Sequence, residues 1–163
     1  MRRYSLLGGL LIALVVLAGC SRMEHSMNAA PTAKGMIVTN PRANMTLPTD
    51  TGSFWMEITN NTDSDDELIG AKAEGCGALE VHEMLMEKDV MVMRPVEGGK
   101  LPIAKGQTVM LEPGGLHLMC LNKAAALEAG STLSLTLQFT KAGEIEVESK
   151  VVAPGDMEMQ MNH

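Results

Sequence analysis

The sequence predicts an all-β domain, a sandwich or small barrel of about seven or eight strands. Three observations carry this. From Gly52 onward, apolar and polar residues alternate with period two in short runs. Gly, Asn, Asp and Pro separate those runs at fairly regular intervals. Helix-forming sequence is scarce.

Strands are expected over Phe54–Thr59, Leu68–Ala73, Leu79–Leu85, Val90–Arg94, Thr108–Leu111, Leu116–Leu121, Thr132–Phe139 and Ile145–Val152. The reversals fall at Asn60-Asn61, Gly98-Gly99, Lys105-Gly106, Pro113-Gly114-Gly115, Gly130 and Ala142-Gly143, where the residue types supply a positive or a fixed φ. Lys123–Glu128 consists of good helix formers but is too short to be more than a connecting turn. With Phe54, Trp55 and Phe139 the only aromatic residues beyond the N-terminal region, the core must be built from Leu, Val, Ile and some Met. Leu133, Leu135, Leu137 and Phe139 supply one inward face.

The N-terminus reads as an export signal. Arg2 and Arg3 precede an apolar run from Leu6 to Leu17, too short to span a bilayer comfortably, which closes on Leu17-Ala18-Gly19-Cys20. Small residues leading into a cysteine resemble the bacterial lipobox, which implies acylation of Cys20, cleavage before it and anchoring of the mature chain to a membrane. Ser21 after the cysteine implies the outer membrane in a Gram-negative cell. Residues 20–34 then form a flexible tether, 35–153 the folded domain and 154–163 a tail rich in Met and His.

Removing residues 1–19 takes away two of 13 basic residues and none of 20 acidic ones, moving the formal charge from −7 to −9. Such a surface excludes nucleic acid as an expected partner. The remaining length, about 115 to 130 ordered residues, matches one domain. Cys76 and Cys120 remain after lipidation of Cys20, in a compartment that oxidises thiols; a disulfide, free thiols or copper ligation are the alternatives.

The chemistry lies in histidine and methionine. On the strand Leu79–Leu85, alternation sends Leu79, Val81 and Leu85 to the core and His82, Met84 and Met86 to the other face. If Leu85 pairs with Val90 across a four-residue loop, Met84 stands opposite Met91 and His82 opposite Met93. After Pro113-Gly114-Gly115, alternation separates His117 and Met119 from Leu118 and Cys120. Two imidazoles and two thioethers suit Cu(I): a thioether is neutral, soft and a poor ligand for Zn²⁺, Ca²⁺ or Mg²⁺. Isolated methionines are ordinary core filler, and the chain has 15. These four, Met84, Met86, Met91 and Met93, lie opposite the core residues and beside a histidine.

The segments His82-Glu83-Met84, Met91-Val92-Met93-Arg94 and Pro113-Gly114-Gly115-Leu116-His117-Leu118-Met119 resemble the signature of the PCu(A)C periplasmic copper chaperones. The likeness runs from about Gly35 to Val152. It implies a cupredoxin-like Greek-key β-barrel that binds Cu(I) near the surface through His82, Met93, His117 and Met119. It further implies delivery to a cuproprotein such as the CuA centre of cytochrome c oxidase, directly or with a Sco-type partner, on the periplasmic side of the cell envelope. The lipobox and the two domain cysteines depart from that pattern, and the anchor puts free diffusion in doubt.

Met84 and Met91 are candidates for a secondary metal site, as are Met157, Met159, Met161 and His163 in the tail, a segment type that in similar proteins is thought to take Cu(II). Met23, His25 and Met27 form a sparser version in the tether. A blue-copper carrier needs a cysteine thiolate on the ligand face, and Cys120 alternates away from it. A copper buffer or resistance lipoprotein with no specific acceptor is the other reading. No nucleophile–base pair, carboxylate pair or phosphate loop points to an enzyme.

Overall fold

A computed structural model describes residues 34–156. The expected signal segment, the expected tether with Met23, His25 and Met27, Cys20 and the tail residues Met157, Met159, Met161 and His163 lie outside the described residues. The domain holds ten strands: β1 Gly35–Asn44, β2 Gly52–Asn61, β3 Asp66–Ala73, β4 Ala78–Glu87, β5 Val90–Pro95, β6 Leu101–Ile103, β7 Thr108–Leu111, β8 His117–Leu121, β9 Thr132–Phe139 and β10 Gly143–Val151. All eight expected strands are present. The two additional ones were hidden by proline: β1 contains Pro41 at a bulge between Thr39 and Arg42, and β6 is three residues long around Pro102.

Hydrogen-bonded neighbours run β5-β4-β8-β2-β1-β10-β9-β3-β6, and β7 pairs with β2 beyond the end of β8. The β1–β10 pair is parallel and the others are antiparallel. Period-two alternation builds the core. Phe54, Met56 and Ile58 of β2 and Leu133, Leu135, Leu137 and Phe139 of β9 are buried in one cluster with Leu68, Leu111, Leu118 and Val151. One apolar cluster shared by strands from both ends of the sheet order is what a closed sandwich requires.

Asn60 lies within the last residues of β2 instead of turning it. It is fully buried, its amide donates to the carbonyls of Ser64 and Ile103, and its side-chain oxygen accepts from the Thr62 amide and hydroxyl. The reversal follows it, over residues 62–65. Lys123–Glu128 is not helical. The Lys123 and Ala124 amides are drawn off to the carbonyls of Asp50 and Gly75, and the buried Lys123 ammonium donates to the carbonyls of Met45, Leu47 and Ala125. Tertiary hydrogen bonds here outcompete helix propensity.

Asp66, at the start of β3, is buried and accepts from the backbone N–H groups of Glu67 at 2.8 Å, Lys141 at 2.9 Å and Ala142 at 2.8 Å. Burial alone would raise its pKa, but the three N–H groups and the Lys141 charge outweigh burial and lower it from 3.8. Its stabilising contribution is therefore present above pH 3.8 and lost as pH falls through the lower folded value. Asp66→Ala is expected to cost about 3 kcal/mol, because it orphans three backbone donors. The urea midpoint at pH 7 measures this, and an unchanged midpoint would show that the donors find other partners.

Candidate metal centre

The β4–β5 hairpin turns on Lys88 (φ 50°) and Asp89 (φ 65°), a two-residue loop with both residues left-handed. This corrects the expected four-residue loop. Glu87 pairs with Val90, Met86 with Met91, Met84 with Met93 and His82 with Pro95. Met93 is thus a diagonal, not a direct, neighbour of His82. The shift is by a whole two-residue step, so face assignments survive: His82, Met84, Met86, Met91 and Met93 share one face.

On its other side β4 pairs with β8, placing His82 directly opposite His117 and Glu80 opposite Met119. The two histidines are cross-strand partners, with Met93 and Met119 each one diagonal step from His82. Both imidazoles are buried, at 8% and 5% exposure, and their ring centres are 6.1 Å apart at an angle of 52°. Met119 is half-buried and Met93 is 45% exposed, so the cluster reaches from the interior to solvent.

Hydrogen bonds set the tautomers. His82 Nε2 lies 3.0 Å from Glu80 Oε2, and His117 Nδ1 lies 3.1 Å from the Gly115 carbonyl. A carboxylate and a carbonyl only accept, so these nitrogens carry the protons. In the neutral form of each ring the lone pair then sits on His82 Nδ1 and on His117 Nε2. His82 Nδ1 is buried with no hydrogen-bond partner, an unmet acceptor within the thioether-lined face. Desolvation lowers the His117 pKa from 6.5; the bond to Gly115 opposes this, and the proximity of His82 adds to it.

Glu80 was not singled out by sequence reasoning. Its position two residues before His82 puts it on the same face, which is the signal that could have found it. The opposite face of the hairpin is charged: Arg94 is bonded to Glu83 at 3.1 Å and to Glu87 at 3.3 Å. Cys76 and Cys120 form a disulfide with a Cα–Cα distance of 5.5 Å. Cys120 is buried and pairs with Leu79 on the core side, away from the imidazoles. Among the described residues no group of three or more His, Cys, Asp or Glu could hold a metal ion. The donor set at this face is therefore two imidazoles and thioethers.

The LpqE-like lipoprotein family model matches residues 36–151. A curated protein of Leifsonia xyli subsp. xyli named as a lipoprotein, Lxx21020, is 31% identical over 84 residues, which is 52% of this chain and 50% of that protein. The match thus spans about half the length of that relative. Among solved structures, the apo PCuAC domain from PmoF1 is 28% identical with a TM-score of 0.60, over 73% of this chain and 94% of that one. Cu(I)-DR1885 from Deinococcus radiodurans is 25% identical with a TM-score of 0.55, over 75% and 83%. The cupredoxin-like fold expected from the sequence is the fold of these domains. Because the family match takes in every strand from β1 to β10, the chain belongs to the LpqE-like lipoprotein family.

Proposed function

We propose that this protein binds Cu(I) through His82, His117, Met93 and Met119 and hands it to another protein. The observation that carries this reading is the buried cross-strand pair of imidazoles, with an unpartnered nitrogen on His82 and thioethers on the same face. Two imidazole nitrogens each about 2 Å from a shared ion put their ring centres roughly 6 Å apart, close to the 6.1 Å found here. Neutral soft donors leave a Cu(I) complex with one positive charge and need no deprotonation, which suits an ion that must be released. The structure of DR1885 with Cu(I) and the PCuAC domain of PmoF1 share this fold, in support.

On this reading the domain is lipid-anchored at Cys20 on the periplasmic side of the envelope, at the outer membrane in a Gram-negative cell; the lipobox and the lipoprotein family support the anchor. The acceptor is a cuproprotein such as cytochrome c oxidase, reached directly or through a Sco-type protein. Met157, Met159, Met161 and His163 form a secondary site for Cu(II) in the tail. Those tail donors also favour a second reading, a copper buffer with no specific acceptor. A deletion strain separates the two: loss of oxidase activity at low copper supports delivery, and sensitivity confined to high copper supports buffering.

The test of the site is Cu(I) stoichiometry and X-ray absorption on the mature chain, with and without residues 155–163. One ion with mixed nitrogen and sulfur ligands that survives tail removal is expected. No binding after tail removal would overturn the site. Glu80 holds His82 as the Nε2–H tautomer, so Glu80→Ala is expected to weaken Cu(I) binding by about 10- to 100-fold, the usual effect of removing a carboxylate behind a ligating histidine. Competition against a Cu(I) chelator reads this; an affinity within about twofold of wild type would mean that the carboxylate plays no part.

A further inference from the structure

The face that carries His82 continues outward as methionine. Met84 and Met93 form one cross-strand pair and Met86 and Met91 the next, ending beside the Lys88-Asp89 turn. Successive pairs are about 7 Å apart along the strands. Exposure rises along this line: the His pair is buried, Met84 is half-buried, Met93 is 45% exposed, and Met91 and Met86 are 49% and 65% exposed. Strand β5 is an edge of the sheet, where charged residues ordinarily guard against association. The other face of this hairpin has them, in the Glu83–Arg94–Glu87 network. Charge on one face and thioether sulfur on the other is a division that edge protection alone does not require.

We propose that Met86 and Met91, backed by Met84, form a second, outer Cu(I) site, and that the two methionine pairs are a ladder along which the ion passes between the hairpin tip and the histidine pair. This rests on the reading that the His82–His117 pair takes Cu(I). Directly opposed side chains on adjacent strands have Cβ atoms about 5 Å apart, so two flexible thioethers can close on one soft ion between them. Passage inward is ligand exchange. The Cu(I)–S bonds to Met86 and Met91 are replaced by bonds to Met84 and Met93, and the bond to Met84 is then replaced by imidazole nitrogen while Met93 stays bound, with no proton or electron moved. The gradient in exposure gives direction: capture where an incoming donor can reach, retention where solvent cannot. Capture next to the inner site raises the local concentration of the ion there, an effect that speeds loading without any new contact at the histidines.

The experiment uses the full chain in detergent with ¹³C-methyl-labelled methionine, each resonance assigned by single Met→Leu substitution, titrated with Ag(I) as a redox-inert stand-in for Cu(I). Residue-by-residue readout keeps the tail methionines separate. The Met86 and Met91 methyls are expected to shift in the wild type and also in the His82→Ala/His117→Ala variant. Met86→Leu/Met91→Leu is expected to slow Cu(I) transfer from a small thioether complex by about tenfold or more while leaving equilibrium affinity at the histidine pair unchanged. If the Met93 and Met119 methyls respond, and lose that response in the His82→Ala/His117→Ala variant, while Met86 and Met91 do not respond, the ladder is overturned and the histidine site stands. If none of them responds, both readings fall. If Met86 and Met91 stay silent toward Ag(I) yet their replacement abolishes contact with an acceptor protein, the pair is a docking surface and the ladder is again overturned.

Discussion

A chain with His82 and His117 both replaced by alanine is expected to lose nitrogen-ligated Cu(I), and either single replacement to weaken binding by on the order of a hundredfold or more. The lower bound follows from residues that hydrogen-bond a ligating histidine from behind, whose loss already costs about 10- to 100-fold; a direct ligand must cost at least as much. Met93→Leu and Met119→Leu keep side-chain volume, so they report ligation with little effect on folding. Each is expected to reduce affinity by about tenfold or more. The pH profile should bear the mark of His117, whose pKa is lowered first by burial and further by the neighbouring His82, against the bond to Gly115. A proton competes with the metal for Nε2, and a lowered pKa makes it a weaker competitor. Protonation of His117 should therefore compete with Cu(I) only at a lower pH than protonation of a free imidazole would. Chelator competition as a function of pH measures the effect. Unchanged affinity in both the histidine and the methionine variants would remove this face as the binding site.

Much of this was legible before any coordinates. Alternation alone sends His82, Met84 and Met86 to one face of β4 and His117 and Met119 to one face of β8, because a strand has no other way to place its side chains. It could not show that β4 lies beside β8: that pairing joins residues 35 apart in sequence and is fixed by the whole core. The hairpin register was misjudged by one two-residue step because Lys88-Asp89 is not an Asn-Gly or Asp-Gly turn, yet both residues adopt positive φ. A slip of β5 by one residue would have turned Met91 and Met93 to the opposite face; a shift of two kept the face and changed only the partners. Strand β1 escaped notice because the bulge around Asn40-Pro41 breaks its alternation. Lys123 reads as a surface residue by type, and its burial depends on the Met45 and Leu47 carbonyls brought from elsewhere in the chain, together with that of Ala125.

The second large effect is expected from the disulfide. Cys76 and Cys120 close a loop with a sequence separation of 44 residues, which holds β4, β5, β6 and β7 and all four residues of the candidate site. In the chain-entropy account, a loop of this length restricts the unfolded state by about 4 kcal/mol. Cys76→Ala/Cys120→Ala is therefore expected to lower the melting temperature by on the order of 10–20 °C, and reduction of the wild-type chain to do the same. The bond also acts where the site is assembled. Cys120 sits between Met119 and Leu121 on β8 and is paired with Leu79 on β4, along the seam that brings His117 against His82. Loosening that seam gives the imidazole pair more freedom to separate, so Cu(I) affinity should fall along with stability. The alternative is that the fold alone depends on the bond, in which case affinity measured well below the melting transition would be unchanged. Comparing oxidised chain, reduced chain and double variant at one temperature divides these outcomes. If the double variant melts with the wild type, the hydrophobic core and the β4–β8 hydrogen bonds suffice to hold the two histidines together.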